Sequence, residues 1–205
     1  KKTFNNEFVY NTDRFNNLDK IINFFKIKKI NGIVFDLGLS NTQIDQPKRG
    51  FSFKKDGPLD MRMGSQINSE LTAEIIVNEF SEEDLNAIFF NLGEERNARI
   101  ISTQIIKSRK IKRIKTTSQL SKIINTANPN KHSRIDGSTK VFQALRIFIN
   151  KELEELKAGL EKCLLTLKKK SKIVVVSFHS LEDRIVKKFF RDNSGYSSEN
   201  YKHLP

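Results

Sequence analysis

Apolar positions along this chain repeat with two periods, and the changes of period mark out its elements. Phe8-Val9-Tyr10 is a short apolar run that predicts a strand, and over 15–27 Phe15, Leu18, Ile21, Ile22 and Phe25 fall at the spacing of one helical face. The stretch 32–38 reads Gly-Ile-Val-Phe-Asp-Leu-Gly. An apolar run that ends in a carboxylate and a glycine is the pattern of a buried parallel strand whose polar end emerges into a crevice. Strand, helix and strand in that order predict a crossover unit.

From 40 to 64 the periodicity stops, and Gly, Pro, Asp and Arg take over. A segment this long without a period predicts a functional loop. Helical spacing returns over 71–80, over 85–92 behind Ser81 and Asp84, and over 94–108. Ser81 and Asp84, like Thr116 and Gln119 ahead of a short helix at 120–124, have the spacing of a helix cap. The polar stretch 125–137, with Pro129 and Gly137, predicts a loop.

Beyond it, Phe142, Leu145, Ile149, Leu153, Leu156, Leu160, Cys163, Leu164 and Leu167 form one stripe that predicts a single long helix. A second buried strand follows over 172–178, around Ile173-Val174-Val175-Val176. Ser180 and Asp183 then predict a capped helix to about residue 190, before a polar tail at 191–205. Strands and helices alternate at both ends of the chain and helices alone fill the middle, so the expected fold class is α/β, a parallel sheet carrying a helical insertion.

At 205 residues the chain is long enough to bury a core without staples, and its one cysteine, Cys163, lies in the helical stripe as a packed apolar group. No apolar run approaches a membrane span and residues 1–10 lack the apolar block of a signal peptide. A soluble, cytoplasmic protein with no membrane partner is therefore expected. The formal net charge of +13 asks for a polyanionic partner, since each cation that neutralises a phosphate releases a counterion. Much of that charge is concentrated in one run: Arg96, Arg99, Lys107, Arg109, Lys110, Lys112, Arg113, Lys115, Lys122, Lys131 and Arg134, with no Asp or Glu among them. Such a run is either a basic patch or a solvated face in a Lys-rich protein.

The candidate chemistry sits at the strand ends. Asp36, just past an apolar run, is placed either to accept hydrogen bonds from an amine or a ribose hydroxyl or to cap the next turn. Ser177 and His179 at the end of the second strand point to the same crevice, or else Ser180 caps a helix with His179 beside it. His132, Cys163, His179 and His203 lack the spacing of zinc ligands, so no metal is expected. No Gly-x-Ser-x-Gly elbow supports a serine hydrolase.

Several blocks, in order, resemble the RsmH (MraW) family of methyltransferases. They are Gly32-Ile-Val-Phe-Asp-Leu-Gly-Leu-Ser40 with Gln43 and Asp45; Arg49-Gly-Phe-Ser-Phe53; and Asp56-Gly-Pro-Leu-Asp-Met-Arg-Met63. Gly93-Glu-Glu-Arg-Asn-Ala-Arg99, Phe142-Gln-Ala-Leu-Arg-Ile147 and Val176-Ser-Phe-His-Ser-Leu-Glu-Asp-Arg-Ile-Val186 follow. The resemblance implies a Rossmann-like class I methyltransferase sheet, here partial, with an inserted helical domain. Residues 1–47 and 140–205 would form the core and 48–139 a basic, substrate-binding insertion. It also implies methylation of cytidine N4 in 16S ribosomal RNA, or the small ribosomal subunit, with S-adenosyl-L-methionine as donor.

By that resemblance the cofactor contacts fall on Phe15, Asp36 and Gln43, with Asp36 also the catalytic candidate. Periodicity alone makes Phe15 a core aromatic; the resemblance reverses that. Arg49, Asp60 and Arg62, with the turn at Asp56-Gly57-Pro58, would wall an everted base. The other reading of these residues is a loop held together by its own Asp-Arg pairs. Arg96 and Arg99, one turn apart, either grip phosphate or pair with a neighbouring acid. Lys140 replaces an Arg of the family pattern and can meet phosphate only as a point charge. The family's glycine-rich cofactor loop has no counterpart before Phe8, Gly32 being the first glycine, so a partial enzyme is expected, with RNA binding and no methyl transfer as the alternative. A DNA methyltransferase is disfavoured because no Pro-Pro-Tyr type motif follows Asp36.

Overall fold

Two parallel strands, far apart in sequence, are brought side by side in the computed structural model, which describes residues 8–64, 70–127 and 136–194. Strand β1 (Ile30–Asp36) pairs with β2 (Leu167–Val176), with Ile33 opposite Ile173, Phe35 opposite Val175 and Asp36 opposite Val176. Alternate side chains point to opposite faces of a strand. Phe35, Ile33, Ile173 and Val175 therefore share one face, which packs on Leu156, Leu160 and Cys163 of α8 (Glu152–Thr166) and on Ile185, Val186 and Phe189 of α9 (Ser180–Asn193). Burial pushes the Cys163 thiol up to about 11, as suits a packed apolar group. The opposite face, with Val34, Val174 and Val176, is exposed.

The predicted strand at Phe8-Val9-Tyr10 does not form. Among the described residues they pair with no strand and their side chains lie in solvent, and an apolar run without a partner strand has no ladder hydrogen bonds to gain. The first helix is shorter than its pattern: a 3-10 turn at Phe15–Asn17 leads into α1 (Leu18–Phe24), and Lys26 then turns the chain at φ 55.

The chain divides into two compact units, one of residues 1–38 and 153–205, the other of residues 39–152. The second is helical: α2 (Asn41–Asp45), α3 (Ala73–Glu79), α4 (Glu82–Gly93), α5 (Ala98–Ile111), α6 (Thr117–Ala127) and α7 (Ser138–Asn150). Ile76, Leu85, Phe89, Ile101, Ile105, Leu120, Ile124 and Leu145 meet in its core, with Phe51, Leu59 and Met61 of the aperiodic loop inserted among them. Ser81 caps α4, its Oγ accepting from Asp84 N–H at 3.0 Å as the spacing predicts. Helix α5 begins later than its pattern because Glu94 turns at φ 49 and Glu95 N–H bonds back to Phe89 O.

The single long helix predicted over 142–167 is two helices, α7 and α8. Lys151 sits at φ 54, and the buried Asn150 side chain fixes the break. Its amide donates to Met61 O and Arg146 O, both at 2.8 Å, and its Oδ1 accepts from Met63 N–H at 2.7 Å. An apolar stripe reads through such a break, since a one-residue turn leaves its spacing almost intact.

Candidate functional site

In the unit that holds the sheet, the two strand ends singled out in the sequence are neighbours. Leu37 N–H donates to Val176 O at 3.2 Å, so the Asp36 end and the Ser177-Phe178-His179 end emerge at one end of the sheet. Asp36 is exposed, and its carboxylate has no hydrogen-bond or ion-pair partner among the described residues. Gly38 follows at φ 88, and a Cβ there would sit 3.4 Å from the Phe178 ring, so the chain turns close over that exposed aromatic.

The second strand end is locked by a residue to which the sequence reading assigned no role. Glu182 is only 3 % exposed; its Oε2 accepts from Phe178 N–H at 2.9 Å, and its own N–H donates to His179 Nδ1 at 3.4 Å. His179 Nε2 lies 3.3 Å from Glu182 Oε1. His179, not Ser180, is therefore the N-cap of α9, and Ser180 is its first helical residue. An imidazole nitrogen replaces the expected hydroxyl because the chain enters the helix one residue earlier. The three-residue spacing of His179 and Glu182, that of a capping box, is the signal that could have found it. Ser177, partly buried, lies between the β2 terminus and this turn.

Phe15 stands at the start of the 3-10 turn, its ring edge-on to Phe35 with centroids 5.3 Å apart. It remains 38 % exposed. Helix α8 seats it. Glu155 accepts from Asn16 N–H at 3.1 Å and faces Arg14 at 3.4 Å, while Lys162 reaches Asn16 O and pairs with Asp19 at 2.6 Å. Between them, Gly159 leaves the space that Phe15 fills, a Cβ there being 2.8 Å from Phe15 Cβ. Glu155, Gly159 and Lys162, one helical face by spacing, were not singled out in the sequence either.

The helical unit holds the other candidates. Gln43 closes a capping box at α2: its Oε1 accepts from Ser40 N–H at 3.0 Å and its N–H donates to Ser40 Oγ at 3.3 Å. Arg49 donates to Arg62 O at 2.8 Å and Met63 O at 2.5 Å, and stacks over Phe51. Asp60 and Arg62 form a two-pronged pair at 2.6 and 2.9 Å, so the Arg62 guanidinium holds the Asp60 carboxyl below its usual range. Asp56 accepts from Ser118 N–H at 3.0 Å, which lowers its pKa in turn. Pro58 bridges Thr116, stitching the loop to the start of α6. The loop is thus a rigid element rather than a string of free side chains.

Arg96 and Arg99 are exposed, and neither guanidinium has a partner among the described residues. Lys140 donates to Glu94 O at 2.9 Å, at the end of α4. Within the basic run, Arg109 donates to Val77 O and Phe80 O, closing the end of α3, and Arg113 pairs with Glu74 and Glu79. Lys107, Lys110, Lys112, Lys115 and Lys122 are exposed; Lys131 and Arg134, like His132 and His203, lie outside the described residues.

Comparison with known proteins gives one consistent result. The sequence model of the MraW methylase family matches residues 1–204. The chain is similar to proteins named ribosomal RNA small subunit methyltransferase H. It is 52% identical to that of Halothermothrix orenii over 182 residues, 88% of this chain and 58% of the relative. Against that of Caldicellulosiruptor saccharolyticus it is 49% identical over 180 residues, again 88% and 58%. Against that of Ehrlichia chaffeensis it is 45% identical over 186 residues, 90% and 62%. The chain therefore spans about three fifths of the length of these relatives.

Proposed function

The chain belongs to the MraW methylase family, and from that premise we propose that it carries part of an enzyme that methylates N4 of a cytidine in 16S ribosomal RNA. The methyl donor is S-adenosyl-L-methionine, and the setting is the cytoplasm; among the described residues no helix is long and apolar enough to cross a membrane. The observation that carries the reading is the register of the sheet, which brings Asp36 beside the Val176-to-His179 turn at one strand end. Open α/β sheets bind ligands outside the carboxyl ends of their strands.

The residues present fit such a donor. Asp36 offers an unengaged carboxylate for hydrogen bonds from a ribose or an amine, and the partly exposed Phe15 offers an aromatic surface for a flat base. Gln43, in the helical unit, is a cofactor candidate by family resemblance alone, its side chain being engaged in the α2 capping box. When bound, S-adenosyl-L-methionine supplies an electrophilic methyl group. What this chain supplies is placement: Asp36 accepts a hydrogen bond from the target amine, and Ser177 and His179, on the turn that Glu182 holds through Phe178 N–H and His179, form the facing wall. Holding an amine in line in this way is worth up to about 7 to 11 kcal/mol of a barrier.

The helical unit, residues 39–152, serves as the RNA-holding insertion. Arg96 and Arg99 are its phosphate grips, because their charges are not engaged elsewhere among the described residues. Arg49, Asp60, Arg62 and Lys140 act through the shape of the loops they hold rather than as free cations.

Calorimetric titration with S-adenosyl-L-methionine, followed by mass analysis of 16S ribosomal RNA incubated with both, tests the proposal. Micromolar binding that Asp36→Asn weakens at least tenfold, with N4-methylcytidine as product, is the expected result. Cofactor silence together with retained RNA binding favours the second reading, an RNA-binding chain without methyl transfer.

A further inference from the structure

The end of the sheet remote from Asp36 carries a concentration of charge that lies outside the run from Arg96 to Arg134. Between Ile30 and Gly32 of β1 there is one residue, whereas their partners on β2, Leu167 and Lys172, are separated by Lys168-Lys169-Lys170-Ser171. The extra residues bulge from the ladder, and Ser171 Oγ closes the bulge by donating to Ile30 O at 3.1 Å. Lys26, Lys28 and Lys29 lie in the turn that leads into β1, at the same end.

All six lysines are exposed. Lys29 donates to Leu165 O at 2.6 Å; the other five have no partner among the described residues. Neither of the segments that meet here, 20–32 and 162–172, contains an Asp or Glu. Lys26 at φ 55 and Lys170 at φ 67 both occupy the left-handed region, which a side chain disfavours. Cations are thus kept at two turn positions where glycine would fit with less strain, and an outlier of this kind points to a task for the side chain.

We propose that this lysine-rich bulge is a second contact for the RNA phosphate backbone, separate from the helical unit. The proposal rests on the RNA-directed reading given above. The steps from Ile30 to Asp36, at ~3.3 Å each, set the bulge about 20 Å from Asp36 along the strand, so it holds RNA well beyond the target nucleotide. Lysine suits the role, because a mobile point charge follows a phosphate chain without demanding one geometry.

The test compares the unaltered chain with the triple variant Lys168→Gln, Lys169→Gln, Lys170→Gln, measuring affinity for oligonucleotides of 16S sequence across a salt series. Each phosphate contact contributes roughly 0.7 to 0.9 to the slope of log affinity on log salt. The expected result is a slope shallower by roughly 2 and an affinity at least tenfold lower at low salt, with an unchanged circular dichroism melt. Lys26→Gln with Lys28→Gln, in the facing turn, gives a smaller loss of the same kind and stands in should the triple variant misfold. Unchanged affinity and slope in both variants, while the unaltered chain binds RNA, overturn this proposal alone. If the unaltered chain binds no RNA, the functional reading itself fails. Loss of binding to phosphatidylglycerol vesicles with RNA binding intact would overturn the proposal in favour of a membrane contact.

Discussion

The helical unit and the sheet unit use their apolar residues differently. In residues 39–152 the core closes on all sides around Phe89, Leu145 and Ile105, each inaccessible to solvent. In the sheet unit the described residues cover one face of β1 and β2, while Val34 is 68 % and Val174 50 % exposed on the other. Parallel sheets ordinarily bury both faces. The helical unit thus has a closed core of its own, and the sheet unit places chemical groups at the ends of strands covered on one face.

The largest effect that tests this contrast comes from truncating an apolar side chain in each unit. Phe89→Ala opens a cavity in a closed core and is expected to cost about 3–5 kcal/mol. Val174→Ala trims a side chain already half in water and is expected to stay within about 0.5 kcal/mol. Urea unfolding followed by circular dichroism measures both. Equal losses would mean that the Val174 face is covered in solution, and the contrast would be gone.

The same contrast explains what the sequence did and did not disclose. Both strands and the capped helix after Ser81 follow from local pattern, because Ile33-Val34-Phe35 and Ile173-Val174-Val175-Val176 need no distant information to be read as strands. Phe8-Val9-Tyr10 shares that local pattern but finds no partner strand among the described residues, which no local pattern can reveal. The break at Lys151 was hidden because Asn150 finds its partners at Met61 and Met63, nearly ninety residues away. At the candidate site, the types at Asp36 and His179 were legible. The parts played by Glu182, Glu155 and Gly159 were not, since each acts by supporting a neighbour.

Asn150 gives the next effect. Asn150→Ala leaves Met61 O unpaired in a buried place, at about 1–3 kcal/mol, and Met63 N–H unpaired in a half-buried one that water can reach. A loss near 2 kcal/mol is expected, with slower-exchanging loop amides becoming fast in hydrogen exchange. Loss of stability without faster exchange at residues 61–63 would show that the side chain supports the helix end alone.

In the sheet unit two opposed terms decide Gly159→Ala. Alanine gains about 1 kcal/mol of helix propensity over glycine. Its Cβ, however, would lie 2.8 Å from Phe15 Cβ and 3.2 Å from the Phe35 ring, and overpacking typically costs about 1–3 kcal/mol. The net expectation is a loss of about 1 kcal/mol with Phe15 displaced from its seat, read from the thermal midpoint and from weakened cofactor binding. A gain in stability would show that the Phe15 segment yields freely, and that the sheet unit is looser still.

The smallest effect concerns acid. The Arg62 pair lowers the folded-state pKa of Asp60 below its ordinary 3.8, so the unfolded chain takes up the proton first as pH falls. The associated stability is complete above that ordinary value and disappears as pH drops through the lowered one. Because the pair is a third exposed, water screens it, and a contribution of about 0.2–1 kcal/mol is expected. Asp60→Asn removes this contribution at neutral pH, so its stability deficit against the unaltered chain should shrink as the pH is taken well below 4, toward the lowered value. A deficit that persists at low pH would mean that Asp60 holds the loop by hydrogen bonds in which its charge plays no part. The rigid loop of the helical unit would then owe its shape to packing around Met61 and Leu59 rather than to the ion pair.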